Sequence, residues 1–514
     1  MLRFFRKYHK WPGLILTVFI LFFAISGIIL NHRELLAPID INRKWLPQIY
    51  RYNNWNLAAV KGAERIGRDS LLLYGNIGVW ITDPVLRNFT SMNNGFPEGI
   101  DNRKINTLHW NPRFGLYAGT LFGLFRYNPD LKSWKEIDLP TKKERIVKVF
   151  SKGDSLMVLS RSFLMYTTIN SGRNNFKIIP MPPPAGWDKK TGLFKTFWVV
   201  HSGEIYGVTG KLIIDAIGIV FIIICLTGII YFIIPYRLKK IKNTLTRTRL
   251  KRFYKGSLHW HNFLGSWTIP LLILTTFTGM FLRPPLLIPI ATARVKPIPF
   301  SELDNSNPWF DKLRDICYDP YNNRYLVATN EGIFIADKAF MHPLNTCDPQ
   351  PPVSVMGINV MEVKEKDKIL IGSFSGIFVW DPENEAVFDY ISNTPYSHSN
   401  EAGPPFGAVS VSGYVNLNDS TELIFDYAHG IFALSGQNRF PSMPTEIVSN
   451  SPISLWNTSL EIHTGRIFEP LIGNFYIMVV PIVGLASLFI IITGFFSWWL
   501  AKRKRDQIKK SRVK

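Results

Sequence analysis

Histidine recurs with glycine at matched spacing in this sequence. His9 is followed by Gly13 and Ser26-Gly27, and His261 by Gly265 and Thr278-Gly279; in both copies the first Gly is four residues beyond the His and the second eighteen. A second set reads His201-Ser-Gly203 and His463-Thr-Gly465. Each leads into an apolar run carrying one glycine and then Thr-Gly: Gly218 and Thr227-Gly228, Gly484 and Thr493-Gly494. The later copy has four extra residues between its His and its glycine pair. Neutral imidazole is a common metal ligand. Two symmetry-related imidazoles facing one another across a helix bundle suit a six-coordinate haem iron. The expectation is two haems, one between His9 and His261 and one between His201 and His463. Gly13, Gly27, Gly265 and Gly279 would remove side chains where a porphyrin lies against a helix. Taken singly, such glycines serve close helix packing and an interfacial histidine is an anchor; the reading rests on both spacings repeating together.

Two further histidines compete. His259 lies two residues before His261 and has Lys7 at its counterpart; His32 follows the first apolar run and has Pro284 at its counterpart. His32 with His201 is the rival outer pair. Asp215 stands inside an apolar run, where a carboxylate is costly unless paired; it reads as a ligand-orienting group, a proton relay or an interfacial carboxylate.

The elements that must position these groups are four apolar runs, 12–30, 212–235, 263–282 and 475–500, each long enough to cross a bilayer. The net charge of +21 is concentrated beside them. Residues 1–11 hold four Lys/Arg and no acid, 236–256 nine and no acid, and 501–514 eight and one acid. This is the positive-inside pattern, not a nucleic-acid surface. Both termini and the middle loop are then cytoplasmic. The first run lacks a small-residue cleavage pattern and reads as a retained anchor. The expected division is 1–32, helix one; 33–195, a first outer β lobe; 196–236, helix two; 237–258, a basic loop; 259–283, helix three; 284–460, a second β lobe; 461–500, helix four; and 501–514, a basic tail. Helix, lobe and helix therefore occur twice, as an internal duplication forming a four-helix bundle. His201 lies eleven residues before its apolar run, so helix two must begin early.

Both lobes show short strand-like runs with turn residues. Related segments occur at 71–83, 115–127 and, more degraded, 155–166, then at 325–337, 369–381 and 423–434. Gly78 and Gly123 are 45 residues apart, Gly332 and Gly376 are 44, and Gly376 and Gly430 are 54. A period near 45 with a hairpin glycine is that of propeller blades. Three blades per lobe are few for a closed ring, so the expected fold is a joint 3+3 propeller; the alternative is two separate sandwich or solenoid lobes. Of three cysteines, Cys225 is mid-helix, whereas Cys317 and Cys347 lie where a disulfide is allowed. His109, His342, His398 and His429 show no metal-site spacing and read as structural.

The His-x-x-x-Gly starts (His9/Gly13, His261/Gly265), the His-Ser-Gly and His-Thr-Gly approaches (His201, His463) and the Ser/Thr-Gly positions of all four helices resemble the PepSY-associated transmembrane helix family of bacterial inner-membrane proteins. That family includes haem-containing reductases that release iron from ferric siderophores. The resemblance implies a membrane haem b protein with those four histidines as ligands. It covers the helices and their flanks; blade-like lobes replace the family's small PepSY domains. No nucleotide or flavin fingerprint is present, so the electron donor must be a quinol or a separate reductase. The leading expectation is an oxidoreductase that passes electrons to an outer acceptor such as ferric iron in a siderophore or another chelate. A non-catalytic receptor or assembly scaffold, whose propeller binds a periplasmic or outer-membrane partner, is the alternative. A transporter is disfavoured by the lack of broken helices and of several buried charges.

Overall fold

The computed structural model describes residues 1–67, 69–170, 174–352, 357–396, 407–418, 421–433 and 440–513. The chain divides into a helical unit, Met1–Leu36, Lys189–Asn305 and Leu455–Lys514, and a β unit, Ala37–Asp188 and Ser306–Ser454.

The helical unit contains α1 (Leu2–Asn31), α2 (Leu193–Ser202), α3 (Gly207–Lys240), α4 (Thr244–Trp267), α5 (Ile269–Met280), α6 (Leu455–His463) and α7 (Val479–Val513). Among the described residues three helical stretches, around α1, α3 and α7, are long and apolar enough to cross a membrane. The third apolar run is not one straight helix, which corrects the expectation of unbroken helices that weighed against a transporter: α4 and α5 meet at a bend of 68°, and they make a fourth span if the pair is counted as one. Pro270 at the start of α5 explains the break, because proline lacks the N–H for the preceding turn and its ring crowds the carbonyl four residues back. Helix α1 lies against α3 and α7, α3 also against α4, and α7 also against α5. Apolar side chains such as Ile15, Val18, Ile219, Leu226 and Leu485 are exposed, while Thr17, Ser26, Asp215, Thr227, Thr278 and Thr493 are buried. Apolar outside and polar inside is the pattern lipid imposes.

His201 and His463 do not extend the membrane helices as expected. They sit near or at the ends of the separate short helices α2 and α6. Each is followed two residues later by a glycine in the left-handed region, Gly203 (φ +81°) and Gly465 (φ +73°). A side chain at Gly203 would also strike the Gly210 carbonyl, 2.3 Å from its Cβ. The His-x-Gly match in the sequence is therefore a helix stop that re-aims the chain into the next span.

Among the described residues the β unit contains six larger antiparallel sheets, five of four strands and one of three, each ordered consecutively along the chain, and a two-stranded one pairing Asp40–Ile41 with Ile453–Ser454. The repeated sequence segments are their central hairpins: Ser70–Gly75 with Gly78–Thr82, Gly115–Thr120 with Leu124–Asn128, Ser155–Ser160 with Leu164–Thr168, Arg324–Thr329 with Ile333–Asp337, Lys368–Ser373 with Gly376–Asp381, and Thr421–Asp426 with Gly430–Ala433. The proposed end of the last repeat, Leu434, lies outside the described residues, as does His398. The first strands of the sheets are β1 (Gly62–Ile66), β2 (Ile105–Asn111), β3 (Ile146–Lys152), β4 (Leu313–Asp319), β5 (Ile358–Glu365) and β6 (Val411–Asn418). Strand β1 lies against β2, β2 against β3, β3 against β4, β4 against β5, β5 against β6 and β6 against β1. Between sheets, alternating side chains form apolar cores, one joining Leu73, Trp80 and Phe425, another Met157, Leu313 and Val327.

The disulfide considered from sequence is not formed: Cys317 and Cys347 are free thiols. Cys317 is on the first strand of its sheet, and Cys347 follows the fourth. Three strand spacings separate those positions, about 14 Å, beyond the roughly 7 Å Cα limit for a bridge. The Cys347 thiol instead donates to the Pro382 carbonyl at 3.2 Å.

Candidate functional site

Each apolar span presents one Ser/Thr-Gly step, and the structure seats one imidazole against each. His9 lies against Gly494, His261 against Gly228, His201 against Gly279 and His463 against Gly27. The exchange is reciprocal. Helix α1 sends His9 to α7, and α6, preceding α7, returns His463 to α1. Likewise α4 sends His261 to α3, and α2, preceding α3, returns His201 to α5.

The local chemistry shares one pattern four times, and at two seats the hydroxyl oxygen also lies close to the imidazole: Ser26 Oγ is 3.0 Å from His463 Nδ1 and Thr227 Oγ1 is 3.1 Å from His261 Nδ1. The hydroxyls of Ser26, Thr227, Thr278 and Thr493 donate back to carbonyls three and four residues earlier in their own helices. The carbonyl three residues before each receives an imidazole Nδ1: His463 to Phe23 at 3.0 Å, His261 to Ile224 at 3.1 Å, His201 to Thr275 at 2.9 Å and His9 to Ile490 at 3.0 Å. A carbonyl only accepts, so Nδ1 carries the proton and Nε2 keeps its lone pair. Among the described residues, none of these Nε2 atoms has a hydrogen-bond partner. The glycine hydrogen leaves room for the ring edge; an added Cβ would stand 2.5 Å from His201 Cε1 and 2.7 Å from His9 Cε1.

The rings then meet in two pairs. His9 and His261, near the basic ends of their helices, have centroids 6.0 Å apart with planes at 68°. His201 and His463 have centroids 5.9 Å apart with planes at 48°. Two imidazole nitrogens sharing one metal at about 2.0–2.1 Å each would put their centroids roughly 6.3 Å apart. Among the described residues no group of three or more His, Cys, Asp or Glu forms a metal-holding cluster. A metal between either pair would draw its remaining ligands from outside that set of side chains. Fixing Nδ1 on a carbonyl is also what orients a metal-binding imidazole and raises its basicity.

The remaining sequence candidates fall elsewhere. Gly27 and Gly279 lie against His463 and His201. Gly13 and Gly265 lie at ordinary contact distance from Ile490 and Ile224, the residues whose carbonyls hold His9 and His261. His32 does not join His201; its Nε2 is 2.7 Å from Asp215 Oδ2, and Asn31 donates to Asp215 Oδ1 at 2.8 Å. That resolves the cost of a carboxylate in α3: it is buried and doubly bonded. His259 is exposed and stacks on Phe263. His342 and His429 are exposed beside Asp337 and Asp426. Two features went unread in the sequence: the carbonyl acceptors, which no residue type marks, and Arg283, whose side chain donates to the carbonyl of Thr464, next to His463, at 3.2 Å.

The β unit has a second polar centre on its first strands. Glu64 Oε1 accepts from the Trp110 amide at 2.8 Å and lies 3.7 Å from His109 Nδ1. Burial pushes the Glu64 carboxyl up to about 7. Burial, then the Lys148 ammonium, holds the His109 imidazole down to about 4. Lys148 faces Asp315 at 3.4 Å.

Comparison with known proteins agrees with the helical pattern. Residues 177–502 match the family described as PepSY-associated TM region, and this chain belongs to that family. It is a multi-pass membrane protein; α1 precedes the matched residues. No curated protein matches. Among solved structures, the extracellular domain of a protein described as a hybrid two component system from B. thetaiotaomicron is 10% identical with a TM-score of 0.36, over 73% of this chain and 32% of that one. PorZ, a surface component of the type-IX secretion system of Porphyromonas gingivalis, is 8% identical with a TM-score of 0.33, over 76% of this chain and 40% of that one. The computationally designed Ika8 protein is 8% identical with a TM-score of 0.30, over 74% of this chain and 99% of its own. This chain thus spans about a third of the first of these structures.

Proposed function

We propose that this protein is a two-haem b conduit in a bacterial inner membrane, passing electrons to a periplasmic acceptor. The observation that carries the reading is the pair of imidazole separations, 6.0 and 5.9 Å, with every Nδ1 engaged. His9 and His261 would hold one haem, His201 and His463 the other, within a four-helix bundle made by α1, α3, α4–α5 and α7. Haem b bound there supplies one-electron chemistry, its iron alternating between ferric and ferrous. The chain's own part is to fix four imidazoles by carbonyl hydrogen bonds, and to line the spans with apolar side chains that exclude water.

The basic ends set the direction: termini and middle loop in the cytoplasm, His201 and His463 toward the periplasm, the β unit outside. The six sheets are read as blades of one six-bladed propeller, supported by first strands that neighbour one another in sequence order and return from β6 to β1. The donor is a quinol or a separate reductase, and the acceptor ferric iron in a siderophore or another chelate. The test is stopped-flow reoxidation of dithionite-reduced protein by a ferric hydroxamate. The expected result is decay of the reduced α band with matching ferrous iron, slowed in His463→Ala. A band that persists with excess chelate would exclude this acceptor class.

A further inference from the structure

The polar groups one helical turn beyond Ser26-Gly27 and Thr278-Gly279 differ between the two halves. Asn31 and Arg283 stand at equivalent places, each four residues after its glycine. Asn31 has a carboxylate partner, Asp215, in the neighbouring α3. The position matching Asp215 in the second half, counted back from Gly484 as Asp215 is from Gly218, is Pro481. Proline cannot answer a cation.

Among the described residues Arg283 consequently has no carboxylate in direct contact, and Glu461 acts on it only at longer range. Its Nη2 donates to the Thr464 carbonyl at 3.2 Å, and its buried Nε has no partner among the described residues. The nearby Glu461 carboxylate is taken by Arg466 at 3.7 Å, and Arg466 also meets Glu469 at 3.3 Å. A half-buried cation with an unmet donor favours an anionic ligand. Its place is specific: bonded beside His463, and one turn from the glycine that seats His201.

We propose that Arg283 grips a carboxylate of the tetrapyrrole held between His201 and His463, as a positioning residue that sets the reduction potential at that pair alone. This rests on the haem reading above. Haem b carries carboxylate side arms, and guanidinium binds a carboxylate through paired donors. Neutralising that carboxylate disfavours the more positive ferric state. Position 31 offers only an uncharged amide already bonded to Asp215, so the arrangement is asymmetric across the duplication. A phospholipid phosphate is the other anion a guanidinium at a membrane edge can meet, and the experiment separates the two.

The experiment is a redox titration of full-length protein in phosphatidylcholine nanodiscs, following the α bands between pH 6 and 8, for wild type, Arg283→Gln and Arg283→Lys. In Arg283→Gln one midpoint should fall by about 59 mV, a tenfold change in the ferrous-to-ferric ratio, and become more pH-dependent as the freed carboxylate titrates. The other midpoint should stay, and Arg283→Lys should recover most of the shift. Loss of that one haem in Arg283→Gln, with retention in Arg283→Lys, is the same result in stronger form. Two haems with unchanged midpoints and pH profiles would overturn the assignment and leave the haem reading intact, and phospholipid lost from Arg283→Gln by mass spectrometry would then identify the phosphate. A haem-free wild type would instead sink the haem reading, and this inference with it.

Discussion

The four imidazole seats are not equally tight, and that gives a graded prediction. An added Cβ would stand 2.5 Å from His201 Cε1 at Gly279, 2.7 Å from His9 at Gly494, 3.2 Å from His463 at Gly27 and 3.5 Å from His261 at Gly228. Ordinary contact begins near 3.4 Å. Gly279→Ala must therefore push the His201 ring back by about 1 Å, stretching its 2.9 Å bond to the Thr275 carbonyl beyond hydrogen-bond range. Overpacking costs about 1–3 kcal/mol, and the lost bond about 1 kcal/mol more. Gly228→Ala meets no clash and gains up to about 1 kcal/mol of helix propensity. Gly279 is helical too, so the propensity gain largely cancels, and the variants should differ by roughly 2–4 kcal/mol. Thermal unfolding in dodecyl maltoside measures the difference, and haem per chain gives a second readout. The expected order of loss is Gly279→Ala, then Gly494→Ala, then Gly27→Ala, with Gly228→Ala at or above wild type. Equal behaviour of Gly279→Ala and Gly228→Ala would refute the seating argument.

Asp215→Ala strands two polar partners, Asn31 and His32, and should cost about 1–3 kcal/mol in the same melts, with Asp215→Asn milder. Glu64→Gln should match wild type near pH 4 and be the more stable at pH 8. A carboxyl whose folded pKa is raised to about 7 carries a cost that grows as pH climbs from the unfolded value of about 4.5 through 7. The full shift corresponds to about 3 kcal/mol, trimmed to roughly 1–2 kcal/mol because the side chain keeps some solvent contact. Cys317 and Cys347 should both alkylate once the oxidised protein is denatured, with no mobility change on reduction; a reduction-sensitive band within one chain would contradict the sheet order.

The duplication was legible because His-to-Gly distances survive in a linear string, and the strand hairpins because a glycine at positive φ recurs near 45 residues. The glycines' purpose was not legible. Gly27 and Gly279 mark seats for imidazoles arriving from other helices, and sequence spacing within one helix says nothing about what comes from outside it. The kink at Pro270 was visible as a residue but hidden by an apolar run that continued across it. The stops at Gly203 and Gly465 show in the sequence only as a His-x-Gly motif, because a left-handed stop and a helical glycine look alike there. Arg283 was hidden because its meaning lies in a missing partner, Pro481 where the first half has Asp215.

Haem per chain bears most directly on the central claim. A pyridine haemochrome assay on full-length protein from haem-replete cells should give two haem b per chain. His261→Ala and His463→Ala should each retain one, and the double variant none. A colourless wild type, or full haem content in the double variant, would contradict the account.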